Sequence, residues 1–481
     1  MNKKLFVSII ALVALVAIFA TLFTGCNSFK WNSVGGGEPN ADVESNGGYF
    51  VKQGKYVYFI NGYDTAEIID NTFGTPVKNS IVRAEIGADG KYTNFVVVVP
   101  KQVYNQNANG GFAIFGEWIY YATPNNDLDK NGVASTTHTD FMRTKIDGSA
   151  TQLIATINSR SSEYLFTESR ILFKDANGST INYIDFSEMK NDGNSSSKAG
   201  VKGGTLAENV ETVVWDMNCD YIYFTETVTG DTSYEFCNTL NAIKIDGTEE
   251  KKVLADKLTY LEEAEKENYF EYFATKVFSF SLLDMVVEND GVVLYYTKSN
   301  FVGSQEESCG LFVNKVALGG NFDKATEKHI SKNSSITTIY PLGYEDGALV
   351  TISSNVYLAN SADGITTDQT PVIGRAATIQ TIHNGKVYYT DSTGGQVYVI
   401  NLDGTGNEAV AYTAGFNAKW LNLEFFATGD QLLFVYFDSN DYNYIHVADI
   451  LTVDNGEDTE MIGIINDADK EAIEKAEEEN E

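Results

Sequence analysis

Val387-Tyr388-Tyr389-Thr390-Asp391, a short polar gap, and then Gly395-Gln396-Val397-Tyr398-Val399-Ile400-Asn401-Leu402-Asp403-Gly404-Thr405 form the stretch that decides the fold. Two runs of aromatic and β-branched residues, which favour pleated strands, flank a gap, and an Asp-Gly turn closes the second run. Val397-Tyr398-Val399-Ile400 does not alternate apolar with polar residues, as a strand with one wet face would. Both faces of such a ribbon need cover.

The same unit recurs along the chain. Its first strands are Tyr56-Val57-Tyr58-Phe59, Trp118-Ile119-Tyr120-Tyr121, Ile171-Leu172-Phe173, Tyr221-Ile222-Tyr223-Phe224, Val293-Leu294-Tyr295-Tyr296, Ala348-Leu349-Val350-Thr351, Val387-Tyr388-Tyr389 and Leu432-Leu433-Phe434-Val435, eight candidate units between about residue 47 and 466. The turns Ile146-Asp147-Gly148-Ser149, Ile245-Asp246-Gly247-Thr248 and Leu402-Asp403-Gly404-Thr405 are near copies, with glycines 99 and 157 residues apart. Those distances fit two and three units of about 50 residues, a propeller-blade period. Phe95-Val96-Val97-Val98-Val99 is a further run apolar on both faces. Stacked blades cover both faces of each sheet. The pattern predicts an all-β fold, a β-propeller of seven or eight four-stranded blades. Two stacked β-sandwiches are the structural alternative. Inserted segments fall near 124–138 and at Leu258 to Ala274, the latter Glu- and Tyr-rich and suited to a short helix.

The 387–404 stretch resembles the YWTD-type β-propellers of low-density-lipoprotein receptors and their relatives on exported bacterial lipoproteins. Tyr223-Phe224-Thr225-Glu226 and Tyr295-Tyr296-Thr297-Lys298 are weaker copies. The resemblance implies four-stranded blades around a central axis over most of residues 47–453. The receptor propellers have six blades, fewer than the units counted in this chain.

The N-terminus reads as an export signal. Met1-Asn2-Lys3-Lys4 is basic, Leu5 to Phe23 is a 19-residue apolar run without charge, and Thr24-Gly25 precede Cys26. This resembles the lipobox of bacterial lipoproteins, whose cysteine is diacylglyceryl-modified and becomes the new N-terminus. Phe23 stands where that family prefers Leu, with Leu22 one residue further back. Residues 1–25 are thus expected as a lipoprotein signal peptide and Cys26 as the lipidation site. An uncleaved signal anchor is the alternative, since about 20 apolar residues span a bilayer. Either way the remainder faces outside the cytoplasm, held at the cell membrane. Residues 26–46, rich in Gly, Ser and Asn, read as a flexible tether. Residues 47–466 are expected to form the propeller, with Met461-Ile462-Gly463-Ile464-Ile465 as a closing strand, and residues 467–481 an acidic disordered tail.

Net charge is −32 over 481 residues. Phosphate backbones repel such a chain, so nucleic acid is not expected as a partner. The same charge keeps an exported protein soluble, and an acidic surface for a cationic partner is the sharper reading of it. Besides Cys26 there are Cys219, Cys237 and Cys309, without CxxC or zinc spacing. At most one disulfide forms, with Cys237 and Cys309 the candidate pair and separate half-buried thiols the simpler expectation.

Asp127-Leu128-Asp129-Lys130-Asn131-Gly132 matches the start of a calcium loop. Alternate oxygen-bearing side chains at Asp127, Asp129 and Asn131 would face one ion, and the glycine would permit the turn. The twelfth position is His138 instead of a bidentate glutamate, with Asp140 a candidate substitute; the same residues also suit a polar turn. Calcium is the one cofactor the sequence raises. His138, His329, His383 and His446 show no metal-binding spacing, and neither GxSxG nor a P-loop occurs. No catalytic residue is therefore assigned. Trp118, Trp215 and Trp420 lie in or beside apolar runs and read as core, while Tyr442 and Tyr444 are candidate stacking residues. The expected function is an extracytoplasmic, membrane-anchored binding or scaffolding lipoprotein, its partner a protein, a peptide or a neutral glycan at the envelope. The alternative is an exported propeller enzyme, a glycoside hydrolase or lyase, with acids drawn from several blades.

Overall fold

The computed structural model describes residues 35–61, 80–88, 92–103, 111–125, 138–159, 163–175, 178–190, 200–228, 237–302, 305–332, 335–360, 369–391, 397–409, 423–428, 431–437 and 445–449, the last three segments through their backbone alone. Eight antiparallel sheets follow one another, each made of strands consecutive in sequence. They span 43–99, 112–157, 163–207, 210–255, 279–331, 336–359, 377–409 and 423–449, and are called blades 1 to 8. Blade 1 has five strands and blades 6 and 8 three; the others have four. In blade 6 the fourth strand is reduced to one bridge between Val356 and Ile373.

The first strands of neighbouring blades lie side by side. Val210–Val214 adjoins Ser279–Glu288, which adjoins Ile336–Gly343, and Ala377–His383 adjoins Leu423–Thr428. Ile445–Asp449 of blade 8 runs beside Tyr56–Asn61 of blade 1, which brings the last sheet back to the first. The fold is a β-propeller. Seven blades are described with side chains and an eighth sheet follows them, in line with the expected seven or eight units.

All eight sequence-predicted strands are present, one per sheet, but each is a middle strand and not the first. The reason is burial. A strand hydrogen-bonded on both edges and stacked on both faces tolerates no polar side chain, so it gives the strongest apolar run. Tyr56 to Ile60, Ile119 to Ala122 and Val292 to Tyr296 are buried throughout. The near-copy turns join the third and fourth strands of blades 2, 4 and 7, so their spacing of two and three units is the blade count between them. In each, the Asp carboxylate accepts from the backbone N–H and hydroxyl two residues on: Ser149 to Asp147, Thr248 to Asp246 and Thr405 to Asp403. Asp185 and Ser187 build the same turn in blade 3, where Phe186 replaces glycine and hides the pattern.

Side chains tie blade to blade. Asn46 of the first blade region donates to Ile114 O and accepts from Ile114 N in blade 2. Asn238 of blade 4 does the same to Phe280 of blade 5. Arg83 donates to Ile146 O, and Arg170 to Ile245 O, each fixing the carbonyl just before the next Asp-Gly turn. The Tyr295 hydroxyl reaches Gly343 and Gly347 of blade 6.

Part of the expected tether belongs to the body. Val43–Glu44 pairs with Gln53 and Lys52, and Arg83 donates to Gly35 O. Those residues contribute strand and packing contacts that a Gly/Ser-rich composition does not announce. No disulfide joins Cys219, Cys237 and Cys309; the first two are buried and the third is half-buried. Among the described residues no helix is long and apolar enough to cross a membrane. Cys26, the acidic tail, the candidate closing strand, Trp420, Tyr442 and Tyr444 lie outside the described residues.

Candidate binding surface

Antiparallel strands alternate direction, so a blade's first-to-second and third-to-fourth turns share one rim of the disc. The second-to-third connections, and those between blades, share the other. The Asp-Gly turns sit on the first rim. Long connections at 62–79, 125–138, 227–238 and 256–278 leave from the second, and those at 186–201 and 360–372 leave from the first. Binding residues concentrate on such loops when a rigid scaffold positions them.

The best-described part of that rim lies over blades 4 and 5. After the last strand of blade 4, Asp256 accepts from Leu258 N and Thr259 Oγ1 and turns the chain outward. The expected helix is present in two short pieces, an α-helical turn at Glu263–Lys266 and a 3-10 turn at Tyr269–Tyr272. Glu262 and Glu265 cap the first reciprocally.

Beneath this insertion is a sealed charge pair. Lys298 Nζ lies 2.6 Å from Glu327 Oε2, with side chains 5% and 10% exposed. The ammonium also stands over three rings, 4.2 Å from Tyr260, 4.7 Å from Phe278 and 3.9 Å from Phe312. Tyr260 and Tyr296 each donate to Glu327 Oε1 at 2.6 Å. Four groups thus satisfy one another away from water, as a buried pair requires. Burial pulls the Lys298 ammonium below its ordinary range, opposed by Glu327. Burial likewise pushes both tyrosine hydroxyls up, and Glu327 pushes the same way. His329 stacks on Phe312 at 4.3 Å, and burial lowers its pKa. Asn314 positions the loop that carries Glu327, by donating to Asp323 O and accepting from Thr326 Oγ1.

The axis is lined differently. In blades 4, 5, 6 and 7 the inner strand carries a bulge, around 211–212, 283, 337 and 380. A bulge re-aims side chains. In three of these blades the residue at or beside the bulge bonds a threonine of the second strand: Thr212 to Thr225, Thr338 to Thr351 and Gln380 to Thr390. Thr225 and Thr390 are the threonines of the recurring Tyr-aromatic-Thr motif, which gives that residue a structural task. Asp284 follows the blade 5 bulge; burial raises its carboxyl above the usual range and Asp216 adds to the rise.

The sequence candidates scatter over the disc. Asp127, Asp129 and Asn131 lie outside the described residues. Asp140, the candidate substitute ligand, accepts from Asn125 and Thr156 within blade 2. His138 adjoins blade 2, while His329, His383 and His446 lie in strands of blades 5, 7 and 8. Among the described residues no group of three His, Cys, Asp or Glu is placed to hold a metal ion. Trp118 is buried, as expected, under the Arg143 guanidinium at 4.3 Å. The Lys298 site escaped sequence reading because its members come from 260 to 327. The one trace was Lys298 itself, a base where the other copies of the motif carry Glu226 or Asp391.

No family model matches the chain, and no curated protein matches it. Among solved structures it is similar to a prolyl endopeptidase, at 12% identity and TM-score 0.40, covering 91% of this chain and 61% of that one. It is also similar to apo AztD from Citrobacter koseri, at 8% identity and TM-score 0.37, covering 85% and 94%. A structure from a nidogen/laminin complex gives 11% identity and TM-score 0.26, covering 74% and 92%. The chain thus spans less than two thirds of the endopeptidase structure. At these values the likenesses carry no functional argument, and the fold stands on its own sheets.

Proposed function

We propose that the protein is a binding or scaffolding lipoprotein, tethered outside the cytoplasm through Cys26, that presents the loop-bearing rim of its propeller to a partner in the envelope. The observation that carries this reading is the asymmetry of the disc. One rim carries the repeated, hydrogen-bonded Asp turns and the long connections at 186–201 and 360–372; the other carries most of the long connections, one of them locked over the Lys298–Glu327 pair. A scaffold that fixes loops lowers the entropy lost on binding. The thiol-linked lipid supplies attachment, at about 0.8 kcal/mol per buried methylene.

Two measurements test this. Fatty-acid labelling and membrane fractionation of the full chain are compared with Cys26→Ser. The reading expects label and membrane association in the first and neither label nor a processed N-terminus in the second. Equal labelling of both sinks the tether. Calcium at Asp127, Asp129 and Asn131 is proposed as a pin for the loop that carries them. Asp129→Ala should then lower thermal stability with calcium present and not with chelator.

A further inference from the structure

Resting on the binding reading, the insertion at 258–274 carries the chemistry of a partner. The two short helical turns bury none of their residues fully; Tyr269 and Tyr272 pack half-buried against a small cluster of Cys237, Leu261 and Val277, which leaves Phe270 outside it. The insertion is also fixed at both ends, by Tyr260 on Glu327 and by Asn300, which donates to Ala274 O at 2.7 Å. What it displays is aromatic. Phe270 is 53% exposed, stacked 4.2 Å from Tyr269 and 5.6 Å from Phe273.

The basic side chains nearby are already engaged. Lys257 lies over Tyr269 at 4.5 Å, Lys266 pairs with Glu263, Lys276 with Glu265, and Lys324 approaches Glu262 at 3.8 Å. Glu267 and Glu271, exposed and flanking Phe270 in sequence, meet no basic group among the described residues. An exposed ring with unneutralised carboxylates at Glu267 and Glu271 on the same short insertion suits a cation carried on an apolar stem. The ring attracts the charge through its quadrupole and the acids pair with it.

The geometry points to a docking surface for a basic polypeptide segment, an arginine or lysine of which stacks on the exposed Phe270 ring and pairs with Glu267 or Glu271. The overall charge of −32 steers such a segment toward the disc, and the insertion supplies the specific contact.

The test uses the full chain in non-ionic detergent and a fluorescent synthetic peptide alternating arginine with Gly-Ser. Its isosteric control has citrulline for arginine. Phosphatidylcholine vesicles form a third arm. The expected result is binding of the arginine peptide, weakened by salt, and none of the control peptide or the vesicles. Phe270→Ala combined with Glu271→Gln should weaken it about tenfold, from the loss of one cation–π contact and one ion pair. Glu249→Gln, on the opposite rim, should leave it unchanged. All these side chains are surface groups, so an unaltered melting curve accompanies each variant. Equal binding of both peptides, equal weakening by Glu249→Gln, saturation by vesicles, an unaffected double variant or no peptide binding would each overturn the assignment. The Cys26 labelling experiment reads the lipoprotein proposal separately, so one can fail while the other stands.

Discussion

Lys298 stands in blade 5 where Glu226 stands in blade 4, with the charge reversed. Thr225 pairs with Leu240 and Thr297 with Leu311, and the two charged residues follow those threonines directly. Their partners obey the same register. Lys251 and Glu327 each precede the fourth strand of their blade, and each makes the ion pair. The blade 4 pair is partly open to solvent, while the blade 5 pair is closed by Tyr260, Phe278 and Phe312. A surface ion pair is worth at most about 1 kcal/mol. Its buried counterpart becomes a structural lock.

Removing one member of that lock leaves the other charged and buried. Lys298→Met is expected to lower stability by about 3–5 kcal/mol. Lys298→Met with Glu327→Gln should lose markedly less than the sum of the two single changes. Lys251→Met in blade 4 should change stability by under about 1 kcal/mol. Denaturant unfolding of the four variants reads both differences. Additive losses would show that the pair does not act as a unit.

Asn238 holds the first strand of blade 5 through the Phe280 N–H and C=O, at 2.6 and 2.5 Å. Asn238→Ala strands a buried donor and acceptor, with an expected loss of about 1–3 kcal/mol. Asn46→Ala should act alike between blades 1 and 2. A neutral outcome at both positions in thermal unfolding would contradict the clamp.

Two glycines separate backbone conformation from crowding. Gly404 has φ +81°, and an added Cβ would meet its nearest atom, Val372 O, at 3.5 Å. Gly347 has φ +78°, and its Cβ would fall 2.1 Å from Ala359 O. Gly404→Ala should lose about 1–2 kcal/mol for the left-handed backbone alone. Gly347→Ala should lose distinctly more, since the blade 6 edge must move. Equal melting points would refute that ordering.

Asp284 gives a pH dependence whose sign follows from its burial. Its folded pKa lies above the ordinary 3.8, so the ionised form carries a penalty in the folded state. The penalty is full above the raised pKa, shrinks as pH falls through it, and vanishes below 3.8. Asp284→Asn should therefore stabilise the protein at neutral pH, with the gain fading toward acid. Melting temperatures measured across that range would contradict this if the gain grew on acidification.

Much of the fold was legible because blade cores write themselves locally. Tyr56 to Ile60 or Val292 to Tyr296 are continuous apolar runs, and the Asp147, Asp246 and Asp403 turns need a particular short sequence. The Asp185 turn hid behind Phe186, since its hydrogen bonds require Asp and Ser but not glycine. The outer partner strands read faintly, as Lys202–Ala207 shows with mostly exposed or half-buried side chains. The Lys298 site was illegible for a different reason. Lys298 and Glu327 are 29 residues apart, and Tyr260 and Phe278 enter from an insertion outside the repeat. Only the pairing of the blade 5 strands and the fold of the insertion before them bring these residues together.

Partner capture by the loop-bearing rim is read with a photo-crosslinking amino acid at Phe270 on that rim, or at Leu318, 51% exposed in a turn of the opposite rim. Both variants are expressed at the membrane of intact cells and irradiated. A discrete protein adduct is expected from position 270 and none of that size from position 318. The same adduct from both positions, or from 318 alone, would contradict it.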